Sequence, residues 1–124
     1  MRSTARHASG LGAARKGVAH WWAQRVTAVA LVPLTLWFTG SVIALGGDEY
    51  QSVIGWLQKP VVTTVMPLWL IAVFYHMALG LQVVIEDYVH REWLKVALLA
   101  GTQLGCFALA CAGIVATLRI AFSA

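Results

Sequence analysis

Three stretches of the chain contain no aspartate, glutamate, lysine or arginine: Val26 to Gly47, Pro60 to Ile85 and Val96 to Leu118. Each is at least about 20 residues long, and at about 1.5 Å of rise per residue each can cross a hydrocarbon core of about 30 Å. The pattern predicts an all-α integral membrane protein of three transmembrane helices, over about 22–46, 61–88 and 94–120. Together they form one anchor domain, residues 20–124, behind a basic tail at residues 1–19. Between the first two spans, Gln51 to Lys59 is short and partly apolar, which predicts an amphipathic surface helix ending at Pro60. Pro33 predicts a kink in the first span, with neighbouring groups satisfying the freed carbonyl.

Composition narrows the class further. Of 124 residues, 60% are apolar and only 11% charged, which excludes an ordinary soluble domain. The net charge of +4 is concentrated, because Arg2, Arg6, Arg15, Lys16 and Arg25 all precede or open the first span. The positive-inside rule then predicts a cytoplasmic N-terminus and, with three spans, a periplasmic C-terminus. Arg91 and Lys95 flank the inner loop, while the outer loop carries Asp48, Glu49 and Lys59. The tail lacks interleaved aromatics and runs straight into a span, so it reads as a topology signal and nucleic acid is not an expected partner. Its Arg, Ala, Gly and Ser content also resembles a transit peptide, and an ordered or partner-bound tail fits it equally. No secretory signal is expected, since the first apolar run is too long and lacks a small-residue cleavage site. Cys106 and Cys111 lie about 140° apart on one helix, which predicts small packing residues and not a disulfide.

Candidate chemistry gathers in the second span. His76 is about 18 Å of helix rise from Tyr88, near mid-membrane, where an unpartnered imidazole is costly. It therefore bonds a neighbouring helix or ligates a metal. Gly80, one turn on, leaves room for a flat group or lets a helix approach closely. Asp87, 11 residues after His76, returns to nearly the same face at about 100° per residue, and Tyr88 is offset from His76 by about 120°. A boundary tyrosine is usually an interface anchor, and its phenol can also donate to a quinone carbonyl. In the first span Trp21 and Trp22 read as interface anchors. Arg25 can either snorkel to lipid phosphate or bind an anionic group between helices, and position leaves both open. His20 can join such a site or stay solvated at the interface. His76 is the one deep histidine, so a bis-histidine haem would need its second ligand from another chain. In the third span Gly101, Gly105, Ala108, Ala112 and Ala116 form a small-residue stripe whose tightest approach is predicted at Gly101 and Gly105.

These residues resemble the small membrane-anchor subunit of succinate dehydrogenase, respiratory complex II. The resemblance rests on Gln24-Arg25-Val26-Thr27-Ala28 opening the first of three spans, and on His76-x3-Gly80-x6-Asp87-Tyr88 in the second; it covers about residues 18 to 95. It implies that His76 is an axial ligand of haem iron, the haem b being shared with the larger cytochrome b anchor subunit. It implies that Arg25 lies near the haem propionates, and that Tyr88, supported by Asp87, contacts ubiquinone and assists its protonation. It further implies a flavoprotein subunit with FAD and an iron–sulfur subunit with its clusters as partners, and a multi-pass protein of a bacterial inner membrane. Electrons from succinate would then reach the quinone pool through the complex. Two other functions fit the same spans: an anchor of a fumarate reductase running in reverse, and a cofactor-free membrane assembly protein.

Overall fold

The computed structural model describes the backbone of residues 3–123 and the side chains of residues 17–123. Four helices follow one another: α1 (Ser3–Leu45), α2 (Tyr50–Leu57), α3 (Pro60–Tyr88) and α4 (Glu92–Ala121). Three segments are long and apolar enough to cross a membrane, Gly17–Leu45, Pro60–Tyr88 and Glu92–Ala121. At 29, 29 and 30 residues they are each about 44 Å long, enough for the hydrocarbon core and both interfaces. The expected three-span, all-α fold is therefore what the chain adopts, with an added surface helix where the partly apolar connection predicted one. α1 does not stop at Pro33 but continues through it.

Local chemistry sets the helix ends. α1 ends at Gly46-Gly47, where Gly47 has φ +85, a left-handed conformation that glycine adopts without strain. The amide of Asp48 donates back to the Leu45 carbonyl at 3.0 Å. Pro60 opens α3 in the first-turn position where its missing N–H costs nothing. Glu92 in the first turn of α4 and Arg119 in its last oppose the helix dipole at each end.

α3 is the central helix and packs against both α4 and α1. Its buried side chains are Val62, Met66, Leu79 and Ile85, and α4 adds Cys106 and Thr117. Between α1 and α3, Phe38 stacks on Trp69 at 4.0 Å and 17°, and the Trp69 indole N–H donates to Thr35 Oγ1 at 3.2 Å. α2 is tied down from two sides. Trp56 stacks on Trp37 of α1 at 5.8 Å, while Gln58 Nε2 donates to the carbonyls of Ile120 and Ser123 at 3.2 and 3.1 Å.

The stripe on α4 departs from expectation. A Cβ added at Gly101 or Gly105 meets nothing within 4 Å, so neither is a close approach within this chain. The tight point is Gly113, where an added Cβ would lie 3.1 Å from Leu70 Cδ1. Small residues permit helix contact, but which of them is used depends on where the neighbouring side chain falls. Of the two cysteines, both free, Cys106 is buried as a packing residue and Cys111 is exposed. Large apolar side chains such as Leu36, Ile43, Leu104 and Leu109 remain exposed on α1 and α4, the surface that lipid or another membrane subunit would cover.

Candidate functional site

α1 and α3 run antiparallel, and the pairs Trp69–Thr35, His76–Thr27 and Gly80–Gln24 share one register. On α1 the polar residues His20, Gln24 and Thr27 recur at spacings of four and three, which puts them on one helical face. That face meets the His76 side of α3. His76 Nδ1 lies 3.0 Å from Thr27 Oγ1. The Thr27 hydroxyl is also 2.7 Å from the Ala23 carbonyl and 3.1 Å from that of Gln24. His76 is half-buried, 12 residues before the end of α3 at Tyr88, or about 18 Å by helix rise.

One turn further along, Gly80 faces Gln24: a Cβ there would lie 3.7 Å from Gln24 Nε2, an ordinary contact. Two polar atoms in this seam, His20 Nε2 and Gln24 Oε1, are buried without a hydrogen-bond partner. Such groups cost about 1–3 kcal/mol each when left unpaired, so the seam favours a polar guest, water or ligand, at that level. No group of three or more His, Cys, Asp or Glu residues able to hold a metal ion occurs among the described residues. A metal at His76 would take its remaining ligands from outside them.

Arg25 is exposed on the flank of α1, its guanidinium carbon 5.3 Å from the centroid of the Trp21 ring, within cation–π range. Trp21 meets Trp22 edge-on at 5.2 Å. Asp87 and Tyr88, in the last turn of α3, are exposed, Tyr88 by 77%. The chain therefore brings His76, Gly80, Gln24 and Thr27 together between α1 and α3, with His20 one turn before Gln24 on the same face of α1. Asp87 and Tyr88 stand apart at the helix end. A groove of about 490 Å³ opens between α3 and α4, lined in part by Tyr75, Leu79, Gln82, Cys106 and Phe107. It lies on the α4 side of α3, away from the His76 seam.

Gln24 and Thr27 stand out in the sequence only through the motif Gln24-Arg25-Val26-Thr27-Ala28; the His20/Gln24/Thr27 periodicity on an otherwise apolar helix is the signal that marks them as one polar face.

The family model described as succinate dehydrogenase/fumarate reductase transmembrane subunit matches residues 1–117. A succinate dehydrogenase hydrophobic membrane anchor subunit of Rickettsia bellii is 34% identical over 97 residues, covering 78% of each chain. The subunit of that name from Paracoccus denitrificans is 30% identical over 105 residues, 85% of this chain and 81% of its own. A succinate dehydrogenase membrane anchor subunit of Reclinomonas americana is 31% identical over 91 residues, 66% of this chain and 71% of its own. No solved structure matches significantly. With three spans in place and a family match across nearly its whole length, the chain belongs to the succinate dehydrogenase/fumarate reductase transmembrane subunit family.

Proposed function

We propose that this chain is the small anchor subunit of a succinate:ubiquinone oxidoreductase of a bacterial inner membrane, supplying one axial ligand to a shared haem b and part of the ubiquinone site. The observation that carries the reading is His76: a mid-span imidazole held through Nδ1 by the neighbouring helix, with Nε2 making no hydrogen bond among the described residues. The residues present fit one end of a bis-imidazole haem. A single histidine from this chain leaves the second position to the larger cytochrome b anchor subunit. The buried, unpartnered His20 Nε2 lies on the same polar face of α1 and is available to donate to an anionic group. Haem b, when bound, would supply a one-electron redox centre.

The chain's own residues then have distinct tasks. His76 would hold the iron through Nε2, and Gly80 would leave the flat ring free of a side chain. Arg25 and His20 would face the propionates. Tyr88 would donate its phenolic proton to a quinone carbonyl, orienting the head group, and Asp87 would support that phenol during protonation to quinol. Succinate oxidation, FAD and the iron–sulfur clusters would belong to the flavoprotein and iron–sulfur subunits, which this chain would hold at the membrane.

Replacing His76 by alanine in the assembled complex should abolish or strongly alter the haem b optical spectrum while flavin and iron–sulfur signals persist. An unchanged spectrum at full haem content would reject the axial role. The bond from Thr27 also suits a cofactor-free anchor whose histidine serves only helix contact, and absence of haem absorbance from the unmutated complex would select that reading. A fumarate reductase anchor, covered by the same family description, would be recognised by its quinone of low potential.

A further inference from the structure

The Thr27 hydroxyl has one proton, and three acceptors or donors surround its oxygen. Two of them, the carbonyl oxygens of Ala23 at 2.7 Å and Gln24 at 3.1 Å, can only accept. The shortest contact, to the Ala23 carbonyl, is the i−4 back-bond that helical threonines commonly make, and it is the natural place for the hydroxyl proton. With the proton on that bond, His76 Nδ1 at 3.0 Å is the donor to the Thr27 oxygen. Nδ1 carries the ring proton, and in the neutral imidazole Nε2 is left with its lone pair.

We infer that Thr27 is a positioning residue for His76: its back-bonded hydroxyl selects the Nδ1–H tautomer and fixes the ring plane, leaving Nε2 as the ligating atom. The inference rests on the proposed axial role of His76 and deepens it. Partners on the outer nitrogen of a ligating histidine orient the ring and raise its basicity, and their loss typically weakens metal binding about 10- to 100-fold. The pairing also explains a threonine facing inward on an apolar helix. A hydroxyl whose proton were free to rotate would admit either tautomer, whereas the Ala23 carbonyl removes that freedom.

The test uses the intact, haem-loaded complex carrying Thr27→Val, which keeps shape and removes the acceptor, beside Thr27→Ser, which restores it. In the valine variant the haem b midpoint potential should rise, because a less basic imidazole stabilises the ferric state less. Haem transfer to an apoprotein acceptor should quicken about tenfold or more. The serine variant should return both towards the unmutated values. Thr27→Ala, which adds no bulk, carries the same expectation if the valine variant fails to assemble. Unchanged potential and haem retention in the valine or alanine variant, in a complex where His76→Ala does lose haem, would overturn the role of Thr27 alone. Retention of haem by His76→Ala would instead remove the reading on which it rests.

Discussion

Gly113 of α4 faces the end of the Leu70 side chain of α3 so closely that a Cβ added to the glycine would sit 3.1 Å from Leu70 Cδ1 and 3.3 Å from Cδ2. The obstacle is the far end of a flexible side chain, so alanine there is accommodated by a small shift of Leu70. Valine adds two further methyls against the same leucine. Gly113→Val should destabilise the α3/α4 pair by about 1–3 kcal/mol, the usual cost of overpacking. Gly101→Ala and Gly105→Ala, with nothing within 4 Å of the added carbon, should leave that pair unchanged. Thermal unfolding of the three variants in detergent, ranked against the unmutated subunit, checks the order; equal sensitivity at all three glycines would contradict it.

That contrast marks what the residues make legible. Long charge-free stretches dictate helices in a membrane because every backbone polar group must be satisfied within its own segment. The three spans follow from this, whereas the central position of the His76 helix is seen only in the packing of α3 against both α1 and α4. Interhelical register does not follow either. Gly101, Gly105 and Gly113 are alike as letters, and only the placement of Leu70 distinguishes them. Thr27 lay hidden for a related reason: a threonine in an apolar run can satisfy its own hydroxyl on the preceding turn, as Thr102 and Thr117 do. What makes Thr27 different is a residue 49 positions away. Asp87 and Tyr88 are exposed among the described residues, and nothing in their own sequence neighbourhood shows what would cover them.

Gly80 separates two explanations of a glycine. An added methyl would meet only Gln24 Nε2 at 3.7 Å, so Gly80→Ala fits between α1 and α3 and should leave the spans intact. Ala is also favoured over Gly in a helix interior by about 0.5–1 kcal/mol. Any loss of haem b in this variant, measured against flavin in the same preparation, therefore cannot arise from α1/α3 contact and would mark the ring edge at this turn. Gly80→Leu should lower haem content more strongly. Full haem in both variants would leave the glycine without a part in the cofactor site.

Arg25 rests over Trp21 on the exposed flank of α1, where it can serve lipid or a propionate. A positive charge near haem favours the ferrous state. If the propionates are its partners, Arg25→Gln should lower the haem b midpoint potential, on the order of tens of millivolts for one unit charge acting through an effective dielectric of about 20. Arg25→Lys should restore most of the shift. An unchanged potential in the glutamine variant assigns the guanidinium to the lipid interface instead.

Tyr88 is the residue for which fold and chemistry are most cleanly separable. Its side chain is 77% exposed, and removal of one hydroxyl from such a position should change the stability of this chain by less than about 0.5 kcal/mol. Tyr88→Phe therefore tests the phenol and little else. If the phenol donates to a quinone carbonyl, succinate-driven ubiquinone reduction should fall about 100-fold, the low end of what loss of one aligned donor to a developing charge costs. Succinate oxidation coupled to an artificial dye that accepts electrons upstream should continue at the unmutated rate. On the proposed role of Asp87 beside the phenol, Asp87→Asn should follow the same pattern more weakly, because the Tyr88 proton stays in place. Parallel loss of quinone- and dye-linked rates in the tyrosine variant would instead assign Tyr88 to holding the peripheral subunits on the membrane.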